Sequence, residues 1–337
     1  MRAVVITEHG PPEVLKVQER PAPQAGPGQV LVDVAAAGIN FADLMARIGV
    51  YPDAPKPPCV VGYEVAGTVA AVGADVDGLE VGQRVVAPVR FGGYAERVAA
   101  IADGVVPLPD ALSFEEGAAI PINYTTAWEA LIRAGNLHRG ERVLIHAAAG
   151  GVGIAATQIA KWAGAEVWGT SSPGKHEAIR GFGVDHPVDY TRKGWERGVP
   201  KLDLVMDAIG GASFRRSYKL LRAGGRLVCF GASSIATGEE RNLVSAARTV
   251  LQMPRFNLIK QMAESKTVIG LNVLTLWDEF QSAARWTGAL NDLLSDGTIK
   301  PVVAQAFPFD RAPDAHRYIS DRRNVGKVVL VPDSAGG

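Results

Sequence analysis

Cysteine is almost missing from this chain. Its two thiols, Cys59 and Cys229, lie far apart in 337 residues and form no C-x-x-C pair. That argues against a disulfide framework and a cysteine zinc site, and it fits a reducing, cytoplasmic setting. An excess of charge is missing as well, because 35 Lys and Arg balance 35 Asp and Glu. A general binder of nucleic acid or anionic membrane needs a phosphate-neutralising surplus, so those classes are set aside, local patches apart. The six histidines (His9, His138, His146, His176, His186, His316) show no metal-ligand spacing. Val143 to Ala160 carries no charge and reaches the lower limit of a membrane span. Glycines break it at its middle, and His146, Thr157 and Gln158 interrupt it. It reads as a buried strand followed by a buried helix, and no membrane span is expected. The opening MRAVVITEHG has too short an apolar run for a signal peptide.

What is present organises around Glu141 to Ala163, ERVLIHAAAGGVGIAATQIAKWA. Val143 to Ile145 has strand length and β-branched ends. A glycine turn follows, then Ile154 to Ala163, small and apolar, suits a helix. Strand, glycine turn and helix make the dinucleotide-binding unit. The turn brings backbone to a pyrophosphate, and the helix N-terminus offers N–H groups and partial positive charge. Ala149, Gly150, Gly151 and Val152 are the turn residues expected there. Gly150 allows close phosphate approach and Gly153 close helix–strand packing. Ala148 stands where the usual pattern has its first glycine, so an ordinary strand–turn–helix is the competing reading.

The length exceeds what one core usually serves, so two domains are expected. In residues 1–123, Ala3–Ile6, Leu15–Val17, Gln29–Ala36, Val60–Val72 and Gln83–Val86 read as strands between Pro- and Gly-rich turns. Their spacing suggests a barrel-like β domain, with one helix over Phe41–Ile48. From Tyr124 the pattern becomes α/β. A helix is expected over Thr126–Ala134, followed by strands at Val143–Ile145, Glu166–Trp168, His186–Val188, Leu204–Met206, Leu227–Phe230 and Thr267–Leu271. Helices near Lys175–Gly181 and Phe214–Leu221 alternate with them. This is the pattern of a doubly wound parallel sheet, a Rossmann domain over 124–290. Residues 291–337 read as mixed, with Lys327–Val331 a strand returning to the first domain. Ser233 to Ser265 is a long loop in which Arg241–Leu251 suits a helix; such loops beside a cofactor often act as lids or interfaces.

About twenty residues beyond the glycine turn, a cofactor with a free ribose 2′-hydroxyl usually meets Asp or Glu. This chain reads Gly169, Thr170, Ser171, Ser172, then Lys175. No carboxylate repels a 2′-phosphate there, and hydroxyls and an ammonium are at hand to bind one. NADPH is therefore the expected cofactor, although Lys175 also suits a solvated helix start.

Four stretches carry a family resemblance: GINFADLMARIGVYP (38–52), AAIPINYTTAW (118–128), HAAAGGVG (146–153) and NVGKVVL (324–330). With them the whole chain resembles the medium-chain dehydrogenase/reductase superfamily, within it the zinc-independent quinone oxidoreductases of the zeta-crystallin group. NFADLMAR and GTSSPGKHEA (169–178) look closest to the vesicle amine transport protein branch. The resemblance implies a GroES-like β-barrel catalytic domain (1–123 and 291–337), a Rossmann NADPH-binding domain, a cleft between them, and a homodimer. Zinc alcohol dehydrogenases of the superfamily place Cys near the position of Asn40 and a His-Glu pair near Tyr63–Glu64. An amide and a phenol there are not normal zinc ligands. By resemblance Thr126 approaches the nicotinamide or ribose, and Asn324 the cofactor phosphates. The family often has tyrosine at the position of Met45, so its proton donor is left open.

Without a Lewis acid, hydride transfer suits an already electrophilic partner, a quinone or an α,β-unsaturated carbonyl. Asn40 is the candidate polar group facing nicotinamide and substrate, and helix capping competes with that role. Asp43 reads as a supporting charge in the first turn of the helix. Tyr51 and Tyr63 are candidate oxyanion donors; a core tyrosine is the plainer alternative for each. Tyr190, Phe230, Gly231 and Leu271 end or follow predicted strands, where such sheets bind their cofactor. Two further readings stay open. One is an enoyl-thioester reductase, with Arg241, Arg248 and Arg255 at the mouth of a carrier-arm channel. The other is an NADPH-binding sensing or lipid-interacting protein with weak turnover.

Overall fold

A computed structural model describes residues 1–235, 243–280, 282 and 284–332. The N-terminal part contains β1 (Arg2–Ile6), β2 (Leu15–Glu19), β3 (Gln29–Ile39), α1 (Phe41–Arg47), β4 (Glu64–Val72), β5 (Arg84–Pro88), β6 (Arg97–Ile101) and β7 (Val106–Pro107). Two helices follow, α2 (Phe114–Gly117) and α3 (Pro121–Trp128). Then come β8 (Arg142–Ile145), α4 (Gly151–Trp162), β9 (Glu166–Ser171), α5 (His176–Gly181), β10 (His186–Asp189), β11 (Leu202–Asp207), α6 (Ala212–Leu220) and β12 (Leu221–Cys229). The remainder holds α7 (Leu243–Gln252), α8 (Leu258–Glu264), β13 (Thr267–Gly270), α9 (Val273–Phe280), α10 (Ala284–Ser295), β14 (Val303–Pro308), α11 (Ala312–Ser320) and β15 (Lys327–Val331).

β8 to β13 form one sheet in the order β10-β9-β8-β11-β12-β13, every pairing parallel. This is the doubly wound arrangement, with its switch point between β8 and β11. The central strands are buried on both faces, which is why they read as unbroken apolar runs. Their C-terminal ends, at Ile145, Ser171, Asp207, Cys229 and Gly270, line one edge.

The other sheet runs β14-β15-β3-β4-β5-β7, with β6 also on β3. β3 is its hub: Gln29–Asp33 pairs with β6, Val30–Ala37 with β4, and Ala37–Ile39 with β15. Lys327–Val331 thus returns to the sheet built by the N-terminal strands. The core of this sheet is Val-rich and separate from the core that α3 and α4 build against β8.

Two expected elements need correction. Val60–Val72 is not one strand; β4 starts at Glu64 because Gly62 turns the chain in the left-handed region (φ 101°), against the ring of Tyr94. The helix expected from Thr126 starts at Pro121, a residue suited to a first helical turn. It then widens into a π turn over Glu129–Arg133. Among the described residues no helix is long and apolar enough to cross a membrane. Arg241 lies outside the described residues; Arg248 and Arg255 are exposed, on α7 and just after it.

Candidate active site

The glycine turn leaves β8 at Ile145 and enters α4 at Gly151, with Gly150 as the extended N-cap. Gly150 has only the Ala147 carbonyl near its missing Cβ, at 3.4 Å, so its face is open. A Cβ on Gly153 would collide with the Ala147 carbonyl, so α4 packs on the turn only because Gly153 has none. The residue in the left-handed region is Ala147 (φ 54°), not Ala148. Its N–H donates to Thr170 Oγ1 at 3.1 Å. Thr170 Oγ1 also meets His146 Nδ1 at 3.2 Å, and His146 Nε2 meets Ser217 Oγ at 3.0 Å. Ser217 and Ser213 in turn donate to Asp207 Oδ2, at 2.6 and 2.8 Å. All five polar side chains are buried. A strained turn with no glycine at its bend is thus held by a buried polar network. Burial holds the His146 imidazole below its usual range, despite the nearby Asp207 carboxylate.

That network revises Thr170: its hydroxyl bonds inward and is not offered to a ribose phosphate. Ser171 Oγ donates to the Ser172 carbonyl at 3.1 Å. Lys175 Nζ donates to the carbonyls of Arg322 and Asn324, both at 2.6 Å, so it fastens the turn before β15 to the start of α5. Burial, then the Arg322 charge, lowers its pKa. Arg322 itself donates to Tyr190 Oη at 3.2 Å and lies over the Tyr190 ring. The same turn reaches the glycine turn, where Gly326 N–H donates to the Ala149 carbonyl at 2.9 Å. Asn324 Nδ2 donates to the Gly326 carbonyl at 2.9 Å. The structure therefore brings together Ala149, Gly150, Lys175, Tyr190 and Asn324. Arg322 was not anticipated; an exposed arginine in a turn carries no sequence signal that separates it from a solvated charge.

Asn40 sits between β3 and α1. Its N–H donates to Asp43 Oδ2 at 2.7 Å, so Asp43 caps the helix start. The Asn40 amide is used elsewhere. Nδ2 donates to Glu64 Oε1 at 2.9 Å, and Oδ1 accepts from Lys327 Nζ at 2.7 Å. Lys327 also donates to Glu64 Oε1, and Glu64 Oε2 accepts the Ile122 N–H at 2.7 Å. Glu64 and Lys327 are buried, and Gly38 on β3 makes the room: its Cβ would lie 2.7 Å from Glu64 Cγ. This cluster joins β3, β4, β15 and α3. Neither charge was singled out from sequence as a site residue.

Asp43 also accepts the Gly62 N–H, at 3.1 Å, so its buried carboxylate ties Asn40 to the loop before Tyr63. Burial raises its pKa to about 7 against the lowering effect of these N–H groups. Tyr63 is buried, and its ring meets Tyr51 edge-on at 6.3 Å and Phe91 at 5.1 Å. Burial raises the pKa of both phenols, Tyr51 to about 12, so both keep a proton to donate. Thr126 is buried on α3. Phe230 and Leu271 follow the ends of β12 and β13, where Leu271 N–H donates to the Cys229 carbonyl. Gly231 lies against Ala208 after β11. Zinc does not fit at Asn40, because the Lys327 ammonium stands against the same oxygens a dication would need. Among the described residues no group of three His, Cys, Asp or Glu side chains could hold a metal.

Family models match in two stretches: "Alcohol dehydrogenase GroES-like domain" over residues 26–110 and "Zinc-binding dehydrogenase" over residues 182–330. The synaptic vesicle membrane protein VAT-1 homolog of Rattus norvegicus is 38% identical over 98% of this chain and 84% of its own length. The Escherichia coli quinone oxidoreductase, solved with NADPH, superposes with a TM-score of 0.85 at 30% identity, covering 98% of this chain and 100% of that one. The CurK enoyl reductase superposes equally well, TM-score 0.85, at 25% identity over 98% of this chain and 99% of that one. The parallel sheet, the glycine turn and the Asn40 cluster are thus parts of a nicotinamide-dependent oxidoreductase, and the chain belongs to the zinc-independent, quinone-oxidoreductase-like group of the medium-chain dehydrogenase/reductase superfamily, beside the VAT-1 homologues.

Proposed function

We propose that this protein is an NADPH-dependent reductase of quinones or α,β-unsaturated carbonyls. The observation that carries the reading is the Asn40–Glu64–Lys327 cluster, in which the amide at the position of a metal-ligating cysteine in the resembled alcohol dehydrogenases is held by a carboxylate and an ammonium. A substrate at such a site must be electrophilic by its own conjugation. NADPH supplies the hydride. Hydride added at the β-carbon, or at a quinone, sends charge to the carbonyl oxygen. The part-exposed Tyr51 phenol, backed by the buried Tyr63 ring, donates a hydrogen bond to that oxygen, and water completes protonation. Asn40, held at both amide atoms, keeps one N–H of Nδ2 to orient the nicotinamide or substrate.

NADPH rather than NADH is favoured by the charge at the end of β9. Lys175 and Arg322 stand together there, with Tyr190, Ser171 and Ser172 beside them. Purified protein is expected to quench or enhance NADPH fluorescence at lower concentration than NADH. Lys175→Ala and Arg322→Ala should each weaken NADPH about tenfold or more, the value of one charge-assisted hydrogen bond, and leave NADH unchanged. Equal loss for both cofactors, or tighter NADH binding in the parent protein, would remove the NADPH assignment.

A further inference from the structure

One residue of the Asn40 cluster, Ile122, borders a second space. Ile122, whose N–H holds Glu64, also lines a cavity of about 70 Å³ between β5 and β7 on one side and α3, α9 and α10 on the other. Its floor comes from Pro88, Val106 and Leu108, and its roof from Leu274, Trp277, Trp286 and Leu290. The lining is almost wholly apolar. The two indoles stack at 5.6 Å with 20° between their planes. Gly104 makes room for them, since a Cβ there would collide with the Trp277 ring.

This cavity is built rather than left over. The Trp286 indole N–H donates to Glu129 Oε1 at 2.8 Å, and Arg285 Nε donates to the same oxygen at 2.6 Å. Glu129 is buried and reaches both because the π turn after α3 rotates it toward α10. Arg90, just past β5, pairs with Asp278 on α9, which ties the two elements that supply Pro88 and Trp277. A polar frame thus fixes a mainly apolar lining, in which Thr125 and Asn291 are the polar side chains among the described residues and the Thr125 hydroxyl is turned onto the Pro121 carbonyl.

We infer that this cavity receives the alkyl tail of the reductase's substrate, so that the preferred substrates are enones or quinones carrying an unbranched or prenyl-like apolar chain. The inference rests on the reading of the Asn40 cluster as the hydride-transfer site. It adds that binding energy comes from the tail while the conjugated head reacts. Each methylene buried should raise kcat/KM about fourfold over the first few carbons, levelling once the cavity is full.

The test uses the whole protein with NADPH and a series of 3-alken-2-ones differing only in tail length, from methyl to hexyl. Leu294→Trp narrows the cavity from its half-buried rim, and Trp286→Phe keeps the lining apolar while releasing Glu129. A separate titration follows quenching of tryptophan fluorescence by 2-nonanone against acetone, which needs no turnover. A tail-dependent kcat/KM that flattens in Leu294→Trp, with the short enone unaffected and 2-nonanone bound in preference to acetone, supports the inference. Equal kcat/KM for all tails overturns it and leaves the reductase reading standing, whether or not 2-nonanone binds. No turnover of any enone or quinone, with 2-nonanone still bound, overturns the reductase reading and keeps an apolar-tail site.

Discussion

Lys327 and Glu64 are the residues on which the site depends most. Each is a charge inside the protein, and each is tolerable only because the other faces it. Lys327→Met should cost about 3–5 kcal/mol, the usual result of leaving a buried charge alone; adding Glu64→Gln should recover part of it. Chemical denaturation of the two variants measures both values, and a loss below about 1 kcal/mol for Lys327→Met would show the pair to be solvated. Asp43 gives a pH signature. An unfolded aspartate ionises near pH 4, whereas the buried one keeps its proton to about pH 7. The unfolded chain therefore sheds that proton first, and stability falls as pH rises from about 4 to about 7, then levels. The contribution is at most about 1.4 kcal/mol per pH unit. Lys327, Tyr63 and Tyr94 face the same carboxyl, so the comparison with Asp43→Asn, which lacks this slope, isolates it. Parallel pH profiles for the two proteins would contradict the assignment.

At the scale of elements, the glycine turn separates folding from binding. Gly153→Ala pushes a methyl into the Ala147 carbonyl, so it should lower both Tm and cofactor affinity. Gly150→Ala meets open space on its protein side, so it should lower affinity and leave Tm within a degree or two. Equal effects on Tm would mean that the two glycines do the same work. The elements themselves were unevenly legible. The strands around the switch point announced themselves, because strands buried on both faces become apolar runs such as Val143–Ile145 and Leu204–Met206. β6 and β7 did not: β6 (RVAAI) carries two alanines at its middle, and β7 is two residues ending at Pro107. α8 was read as loop: Leu258, Ile259 and Met262 have helical spacing but lie over only seven residues, and in the structure their apolar side is exposed rather than turned to the core. The Asn40 turn was found, but its partners were not. Glu64 and Lys327 are 263 residues apart, and a charge within an apolar strand reads as an edge residue until the fold closes.

At the scale of the whole molecule, two features point to one face. Among the described residues β13 is the last strand of the parallel sheet, and α8 before it exposes the apolar side chains just named. The homodimer expected from the family resemblance would cover both. Sedimentation equilibrium should then give twice 35.6 kDa, and Ile259→Asp should shift the protein toward monomer without changing its fold. A parent protein that is monomeric at micromolar concentration would contradict this placement.

The central claim is that hydride transfer here relies on a conjugated substrate and an Asn40–Glu64–Lys327 cluster, not on a bound metal. Its most direct test is NADPH oxidation by protein treated with a strong chelator, with 9,10-phenanthrenequinone, a short enone and a simple aldehyde as acceptors. The account predicts that oxidation with the quinone or the enone survives chelation, that zinc adds nothing, and that the aldehyde is not reduced. Loss of activity on chelation with recovery on adding zinc, or reduction of the aldehyde in preference to the conjugated acceptors, would contradict it.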